Sequence, residues 1–407
     1  MTVITLLRIG IELLDPFAVA APEVAVGTDR PIAIDPSGAV VVPTSSLAGS
    51  LRSHLRGLGL DEQLMGGAGG DRSGARSSRL RLLGSRVEQD GGPLQRSEVE
   101  DRTQTAMDRR RGGALESTLR SSEVGPPGAT VELFARVDGT LGRDELDAIV
   151  SWRPWVGGGR SHGMGGAVLR SVRVGTLDLS TRDGLTMWLR HGGPELVARV
   201  AVTEVDVPEV APAEVLRVTF RIVDGLMTAG ERVGNVHRIY RRYGQPVIEG
   251  SALKGVLRAR CEWILGSLGY TTCAEGARVC GRCPTCSLFG SVEQRARVRV
   301  WLSPIRGADV RTRDHVAIDR ISGGASAQRL FGEEVVVAGT LDLVIDALGP
   351  LAEWERLLLC WAVRDIHDGY VGLGSRTTRG FGTVELTDLS VLGDLPPLAP
   401  VLEEAGL

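Results

Sequence analysis

The feature that most limits what this chain can fold into is a segment it contains twice. Asp108–Gly128 and Asp319–Gly339 align without a gap and agree at nine positions. These pair Asp108 with Asp319, Arg109 with Arg320, Gly112 with Gly323, Gly113 with Gly324 and Ala114 with Ala325. Leu119 with Leu330, Glu123 with Glu334, Val124 with Val335 and Gly128 with Gly339 complete the set. The repeat extends outward. Upstream, Ser45, Leu47, Gly49, Leu51 and Arg52 answer Ser251, Leu253, Gly255, Leu257 and Arg258, and Leu83-Gly-Ser85 answers Phe289-Gly-Ser291. Downstream, Gly157, Gly163 and Gly165 answer Gly374, Gly380 and Gly382. Two copies of about 180 residues therefore fill most of the chain. So long a period means two fused domains, because solenoid repeats run to about 20–50 residues.

A length of 407 residues and 43% hydrophobic content give each half enough apolar surface for its own core. No apolar run approaches the roughly 18 residues of a membrane span, and Met1–Leu7 lacks a basic leader, so a soluble, cytoplasmic protein without membrane contact is expected. The net charge of −3 argues against nucleic acid on average, but placement decides such binding. Lys254 is the sole lysine. Arginines cluster at Arg72, Arg76, Arg79, Arg81 and Arg86, at Arg109–Arg111, and at Arg238, Arg241 and Arg242, a bias that GC-rich codon usage also produces.

Apolar periodicity predicts the same plan in each half. In the first, a strand over 2–14 and a loop to Pro43 precede a helix capped by Thr44 or Ser45, with Leu47, Leu51 and Leu55 on one stripe. A strand from Leu80, a long excursion, a strand at 131–137, a helix at 143–152, a glycine-rich turn and a strand at 167–174 follow. A connector spans about 181–213. The second half repeats the series through strands at 216–223 and 296–302, a helix at 251–268, a strand at 340–345, a helix at 351–366 and a last strand at 382–389. The result is β-α-β-β-α-β twice, the ferredoxin-like plan of an α+β protein.

The sharpest chemical signal is Cys273-x6-Cys280-x2-Cys283-x2-Cys286. Thiolates this close suit a tetrahedral structural zinc, which would hold a loop too short for its own core. The first half has no cysteine at the matching place. Cys261 and Cys360, on apolar helices, read as core residues. The two glycine turns permit close approach of backbone to a phosphate, where Arg160, Arg376 and Arg379 could add charge, or are plain tight turns. No Gly-Lys-Ser/Thr follows, which excludes a mononucleotide P-loop.

Gly-Ser-Ala-Leu-Lys-Gly-x-Leu-Arg (250–258), Cys-x2-Cys-x-Leu-Phe-Gly (283–290), Ile318-Asp-Arg-x-x-Gly-Gly-Ala325 and Gly-Phe-Gly (380–382) together resemble the RAMP superfamily of CRISPR-associated proteins, more narrowly the backbone subunits of type III effector complexes. The resemblance covers nearly the whole chain, twice. It implies two RRM-like palms (1–180 and 214–392, with a tail at 393–407), each with an inserted thumb hairpin (about 89–128 and 306–339), and a zinc insert at about 269–290 in the second. It implies guide RNA, target RNA and other effector subunits as partners. The RNA contacts it implies are Ser45, Ser46, Arg52, Gly157, Arg160, Gly163, Gly165, Ser251, Lys254, Arg258, Gly374, Arg376, Arg379, Gly380 and Gly382. Met107 and Ile318 are either wedges between bases or ordinary hairpin core. Asp108 and Asp319 read as bracing their turns, in ion pairs with Arg109 and Arg320.

Catalytic members of the family carry an aspartate in the loop after the first strand. Asp29 stands at that distance ahead of Thr44–Gly49, whereas the second half offers Asn235. The resemblance thus implies one half that cuts target RNA with Mg²⁺ and one silent half. Asp29 also fits a plain turn before Pro31, and Asp35 is the nearest rival. Ala48 where the family has lysine, and Gly-Pro-Pro-Gly at 125–128, depart from the pattern. The competing functions are a non-catalytic scaffold of the same complex and a guide-precursor endoribonuclease using His54 or His162.

Overall fold

The computed structural model describes residues 2–22, 27–67, 75–109, 113–209, 214–273 and 279–406, the side chains of 327–329 excepted. Arg72, Arg110, Arg111 and Gly112 lie outside the described residues. The chain divides into two compact units: residues 1–105, 118–160 and 164–211 in one, and 106–117, 161–163 and 212–407 in the other.

In the first unit, β1 (Val3–Leu13), α1 (Thr44–Gly57), α2 (Asp61–Met65), β2 (Leu80–Gln89), β3 (Thr130–Asp138), α3 (Arg143–Val150) and β4 (Ala167–Asp178) follow in order. The sheet runs β4-β1-β3-β2, with every pair antiparallel. That is the ferredoxin-like order. Leu47, Leu51 and Leu55 of α1 and Ala148, Ile149 and Val150 of α3 pack on one face with Leu7, Ile9, Ile11 and Leu13. Each fully buried leucine contributes about 1.5–3 kcal/mol. α1 begins at Thr44 with Pro43 at the cap position, so neither Thr44 nor Ser45 caps it.

The segment read as a connector belongs to this unit. β5 (Thr203–Val205) extends the sheet beside β4, and α4 (Arg182–Arg190) and α5 (Gly193–Arg199) cover the other sheet face. Leu196 and Val197 pack there on Ile4, Leu6, Phe134 and Leu177. The first part of β1, Ile4–Leu7, is therefore buried on both faces, whereas Arg8, Gly10 and Glu12 further along are only half-buried.

The second unit contains β6 (Glu214–Asp224), β7 (Val236–Ile239), α6 (Gly250–Ser267), α7 (Pro284–Phe289), β8 (Val298–Val300), β9 (Arg306–Ile318), β10 (Ala325–Ala347), α8 (Glu353–His367), β11 (Thr383–Leu386) and α9 (Leu398–Glu404). The core order is β11-β6-β10-β8, the same as in the first unit. β10 continues past the sheet and pairs with β9 from Arg306↔Thr340 to Ile318↔Ala325, forming a long hairpin. The first unit's excursion pairs Glu100–Gln104 with Arg120–Val124. The tail is not loose, since Leu398 and Leu402 of α9 are buried in the core.

The short helices correct one repeat assignment. Arg52 Nη1 donates to the Gly66 carbonyl after α2 at 2.9 Å, and Arg258 Nη1 donates to the Gly290 carbonyl after α7 at 2.8 Å. Met65-Gly66 is thus the counterpart of Phe289-Gly290. Leu83-Gly84-Ser85, which matched it in sequence, lies inside β2.

Candidate functional site

The glycine turns are built alike. Each carries a short 3₁₀ turn, Arg160–His162 and Thr377–Arg379. Val156 N donates to the Gly165 carbonyl and Leu373 N to the Gly382 carbonyl, both at 2.9 Å. Gly165 and Gly382 have φ of +70° and +90°, and a Cβ on either would lie 2.0 and 2.1 Å from the carbonyl oxygens of Val156 and Leu373. The chain's own close approach therefore demands these two glycines. Gly380, by contrast, faces open space. Arg160 is exposed with its guanidinium over the Trp155 ring, 5.3 Å from the centroid.

Asp29 is exposed beside Ser121, near the far end of the ladder between Glu100–Gln104 and Arg120–Val124. Its Oδ2 accepts the Ser121 backbone N–H at 2.7 Å and the Ser121 hydroxyl at 3.3 Å, while its own N–H donates to Ser121 Oγ at 3.1 Å. Glu123, two residues further along the Arg120–Val124 strand, accepts Ile32 N and pairs with Arg96. The second unit repeats the frame: Glu334 accepts Ile239 N and pairs with Arg241. There His237 pairs with Glu333 as Arg30 does with Ser122, so the register puts Val236 at the place of Asp29, with Asn235 one residue before it. Neither is a carboxylate. Asp35, the rival, closes its own turn by accepting Ser37 N, Ser37 Oγ and Ala39 N.

At the start of α1, Ser45 is exposed and Ser46 and Arg52 are half-buried. Arg52 is committed to the carbonyls of Met65 and Gly66. In α6, Ser251 is half-buried and Lys254 only 6% exposed. Burial, helped by the charge of Arg258, pulls the Lys254 ammonium down to about 7. His54 packs inward with Nε2 at 3.0 Å from the Ala148 carbonyl, and burial lowers its pKa. That environment is one of packing, which removes support for His54 as the base of a processing site.

Arg258 is also buried, against the cysteines. Its Nη2 lies 3.1 Å from Cys286 Sγ and 3.8 Å from Cys273 Sγ, and its Nε donates to Glu262 at 2.9 Å. The placement suits a partner of the cysteine cluster. Glu262 also accepts Arg109 Nε at 2.8 Å within the second unit. The four sulfurs all lie within 4.8 Å of one another, with Sγ–Sγ distances of 3.8 Å (Cys273–Cys280), 3.6 Å (Cys273–Cys283), 3.3 Å (Cys273–Cys286) and 3.9 Å (Cys280–Cys286). A tetrahedral site with Zn–S of about 2.3 Å has sulfurs about 3.8 Å apart, so the donor set fits zinc. Backbone N–H groups of Arg282 and Cys283 pull the Cys280 thiol down to about 6. Cys261 is fully buried and Cys360 half-buried on their helices.

Met107 and Ile318 are 49% and 57% exposed, which excludes the core alternative for both. Asp319 braces its turn by accepting Ile321 N, Ser322 N and Ser322 Oγ, so backbone donors take the place of the expected pair with Arg320. The arginine clusters are largely matched to acids, as in Arg79–Glu145, Arg81–Asp138, Arg241–Glu334 and Arg242–Glu249. Sequence reasoning missed Glu333, which is fully buried in β10 and faces Arg376, Arg379 and His315. The Glu-Glu pair before Val335 was the only available signal.

Fold and turns together define a protein of two tandem ferredoxin-like units with one cysteine cluster able to hold a metal such as zinc. The family model of the RAMP superfamily matches residues 2–168 and 154–385, so the chain belongs to that superfamily, whose CRISPR-associated members bind CRISPR RNA in multi-subunit complexes. A comparison with curated proteins finds no match. Among the described residues no helix is long and apolar enough to cross a membrane.

Proposed function

We propose that the chain is a guide-RNA-binding backbone subunit of a type III CRISPR effector complex, and that its first unit also cuts complementary target RNA through Asp29. The observation that carries the reading is a frame built twice around one carboxylate. Both units have the glycine turn and the Glu–isoleucine N–H contact, but at this position against the hairpin strand only the first places an acid. The guide would lie along the glycine turns and the starts of α1 and α6. Met107 and Ile318, exposed and apolar on their hairpins, would replace lost stacking at a displaced base. Guide sequence would not matter, because the protein grips the backbone while base pairing reads the target.

Ser121 fixes one oxygen of Asp29 and leaves the carboxylate at the surface. There it can take the proton of a 2′-hydroxyl presented by a displaced nucleotide. The freed oxygen attacks the adjacent phosphorus, the bond to the 5′-oxygen breaks as that oxygen takes a proton from water, and a 2′,3′-cyclic phosphate and a 5′-hydroxyl remain. Magnesium is commonly held by one or two carboxylates plus substrate phosphates, so a single aspartate fits it; it would supply charge neutralisation at the phosphate. Reconstitution with guide and complementary RNA, mapping cuts with wild type and Asp29→Ala, tests this. Loss of one cut position with RNA binding intact is expected. Unchanged cuts would leave a non-catalytic scaffold as the surviving reading.

A further inference from the structure

Glu333 is the least expected group in the second unit. It sits in β10 with no exposed surface, and neither carboxylate oxygen has a partner in hydrogen-bond geometry. Three cationic or ionisable groups nevertheless surround it. Arg376 Nε is 3.0 Å and Arg379 Nη1 3.7 Å from Oε1, and His315 Nε2 is 3.4 Å from Oε2. The ring of His315 is fixed by stacking on Phe331, with centroids 5.4 Å apart, and by an edge contact with Phe381. Arg313 lies over Phe381 at 5.4 Å. A buried carboxylate is costly unless paired, so its place here is set by the cations around it. The cations outnumber it, and the arginine heads remain half-exposed.

The duplicated turn provides an internal control. Arg376 occupies the position of Gly159, and its φ of +64° matches the +79° of that glycine. A non-glycine residue held in this region is strained, and such strain is found where a side chain has a task. Arg379 occupies the position of His162, and Glu333 that of Ser122. The buried acid thus occurs in the unit that carries the two turn arginines and is missing from the unit that lacks them.

We infer that Glu333 is a positioning residue that holds Arg376 and Arg379 side by side as a clamp for one RNA phosphate on the second unit. The inference deepens the RNA-binding reading above and rests on it. The anion closes the charge balance that one carboxylate leaves open, and takes the guanidinium N–H groups that Glu333 does not engage. Glu333 acts on RNA only through the arginines, since it has no surface of its own.

The sign of a substitution separates positioning from plain electrostatics. Removing a negative charge near a phosphate site should tighten binding if charge alone matters, and shortening the acid at constant charge should change nothing. Positioning requires both to weaken it. The test is the affinity of the full chain for a labelled single-stranded RNA across a salt series, for wild type, Glu333→Asp, Glu333→Gln, Arg376→Ala and the Glu333→Asp/Arg376→Ala double variant. Glu333→Asp and Glu333→Gln are each expected to lower affinity about 5- to 10-fold and to reduce the salt slope by about 0.7 for each phosphate no longer held, as Arg376→Ala does. The double variant should lose less than the two single losses added together, because part of what Glu333 does acts through Arg376. A role in stability only would lower the melting temperature, leave the slope unchanged and so overturn the inference. Should Glu333→Gln fail to fold, Glu333→Asp carries the test. Wild-type affinity in Glu333→Asp, or tighter binding in Glu333→Gln, overturns the inference while the RNA-binding reading stands. Absence of RNA binding by the wild type overturns both.

Discussion

The backbone N–H of Ser121 donates to Asp29 Oδ2 at 2.7 Å, and the corresponding amide of the second unit, that of Gly332, donates instead to the Asn235 carbonyl at 2.9 Å. One donor position is filled by a side chain in the first unit and by the backbone in the second. The carboxylate is thus a structural acceptor as well as the candidate base, and the two roles can be separated.

Asp29→Asn keeps an oxygen for Ser121 and loses the ability to take a proton. Its unfolding midpoint should match wild type, while the assigned cut falls about 10²- to 10⁴-fold. Asp29→Ala should lose the cut equally and also about 1 kcal/mol of stability, because the Ser121 N–H loses its acceptor. Denaturant titration of the two variants, read beside cut mapping, checks this. Equal stability of both would show that the Ser121 hydrogen bond contributes nothing.

The cysteine centre and Arg258 should be coupled. A tetrathiolate site carries excess negative charge, and the guanidinium 3.1 Å from Cys286 Sγ offsets part of it. Arg258→Ala should weaken zinc retention about 10- to 100-fold, measured by competition with a chromophoric chelator. Stripping the metal should lower the thermal transition of the second unit and leave that of the first in place, since the four ligands belong to one unit.

Gly165 and Gly382 should be equally intolerant of a side chain. Alanine at either meets a carbonyl oxygen at 2.0–2.1 Å and a positive φ. A loss of about 2–4 kcal/mol is expected for each, set against about 1 kcal/mol for Gly380→Ala, which suffers the φ strain alone. Urea unfolding of the three variants decides it. Similar midpoints for Gly380→Ala and Gly382→Ala would refute the close-approach explanation.

The duplication was legible because its signals are local. Glycines at positive φ and leucines at helical spacing keep their meaning without tertiary context, so both sheets and the two turns could be anticipated from Gly157–Gly165 and Gly374–Gly382. What escaped depends on partners distant in sequence. Arg258 lies on a helix whose motif reads as an RNA contact, yet its neighbours Cys273, Cys286 and Gly290 come from the insert folded over it. Residues 181–205 looked like a linker because their short amphipathic helices carry little apolar content, although Leu196 and Val197 suffice to seal the back of the first part of β1. Glu333 could not be told from Glu334 beside it, since a charged residue in a strand gives no sign of which face it takes.

Lys254 should make stability depend on pH in an unusual direction. Its ammonium is pulled from 10.5 to about 7 by burial first and by Arg258 second. Below pH 7 both folded and unfolded chains hold the proton, and the cost of burying the charge is felt in full. Between about pH 7 and 10.5 the unfolded chain still holds it while the folded chain does not, so this group's contribution makes stability rise with pH across that window. Lys254→Met removes the penalty, and should raise stability at pH 6–7 by a few kcal/mol while flattening the slope above it. Guanidinium midpoints of wild type and variant from pH 6 to 10 give the comparison. RNA phosphate near the start of α6 would favour the charged form, so RNA binding at about pH 8 should take up a proton in wild type and none in Lys254→Met. Calorimetry in buffers of different ionisation enthalpy reads that uptake, and equal heats for the two proteins would place Lys254 away from the RNA.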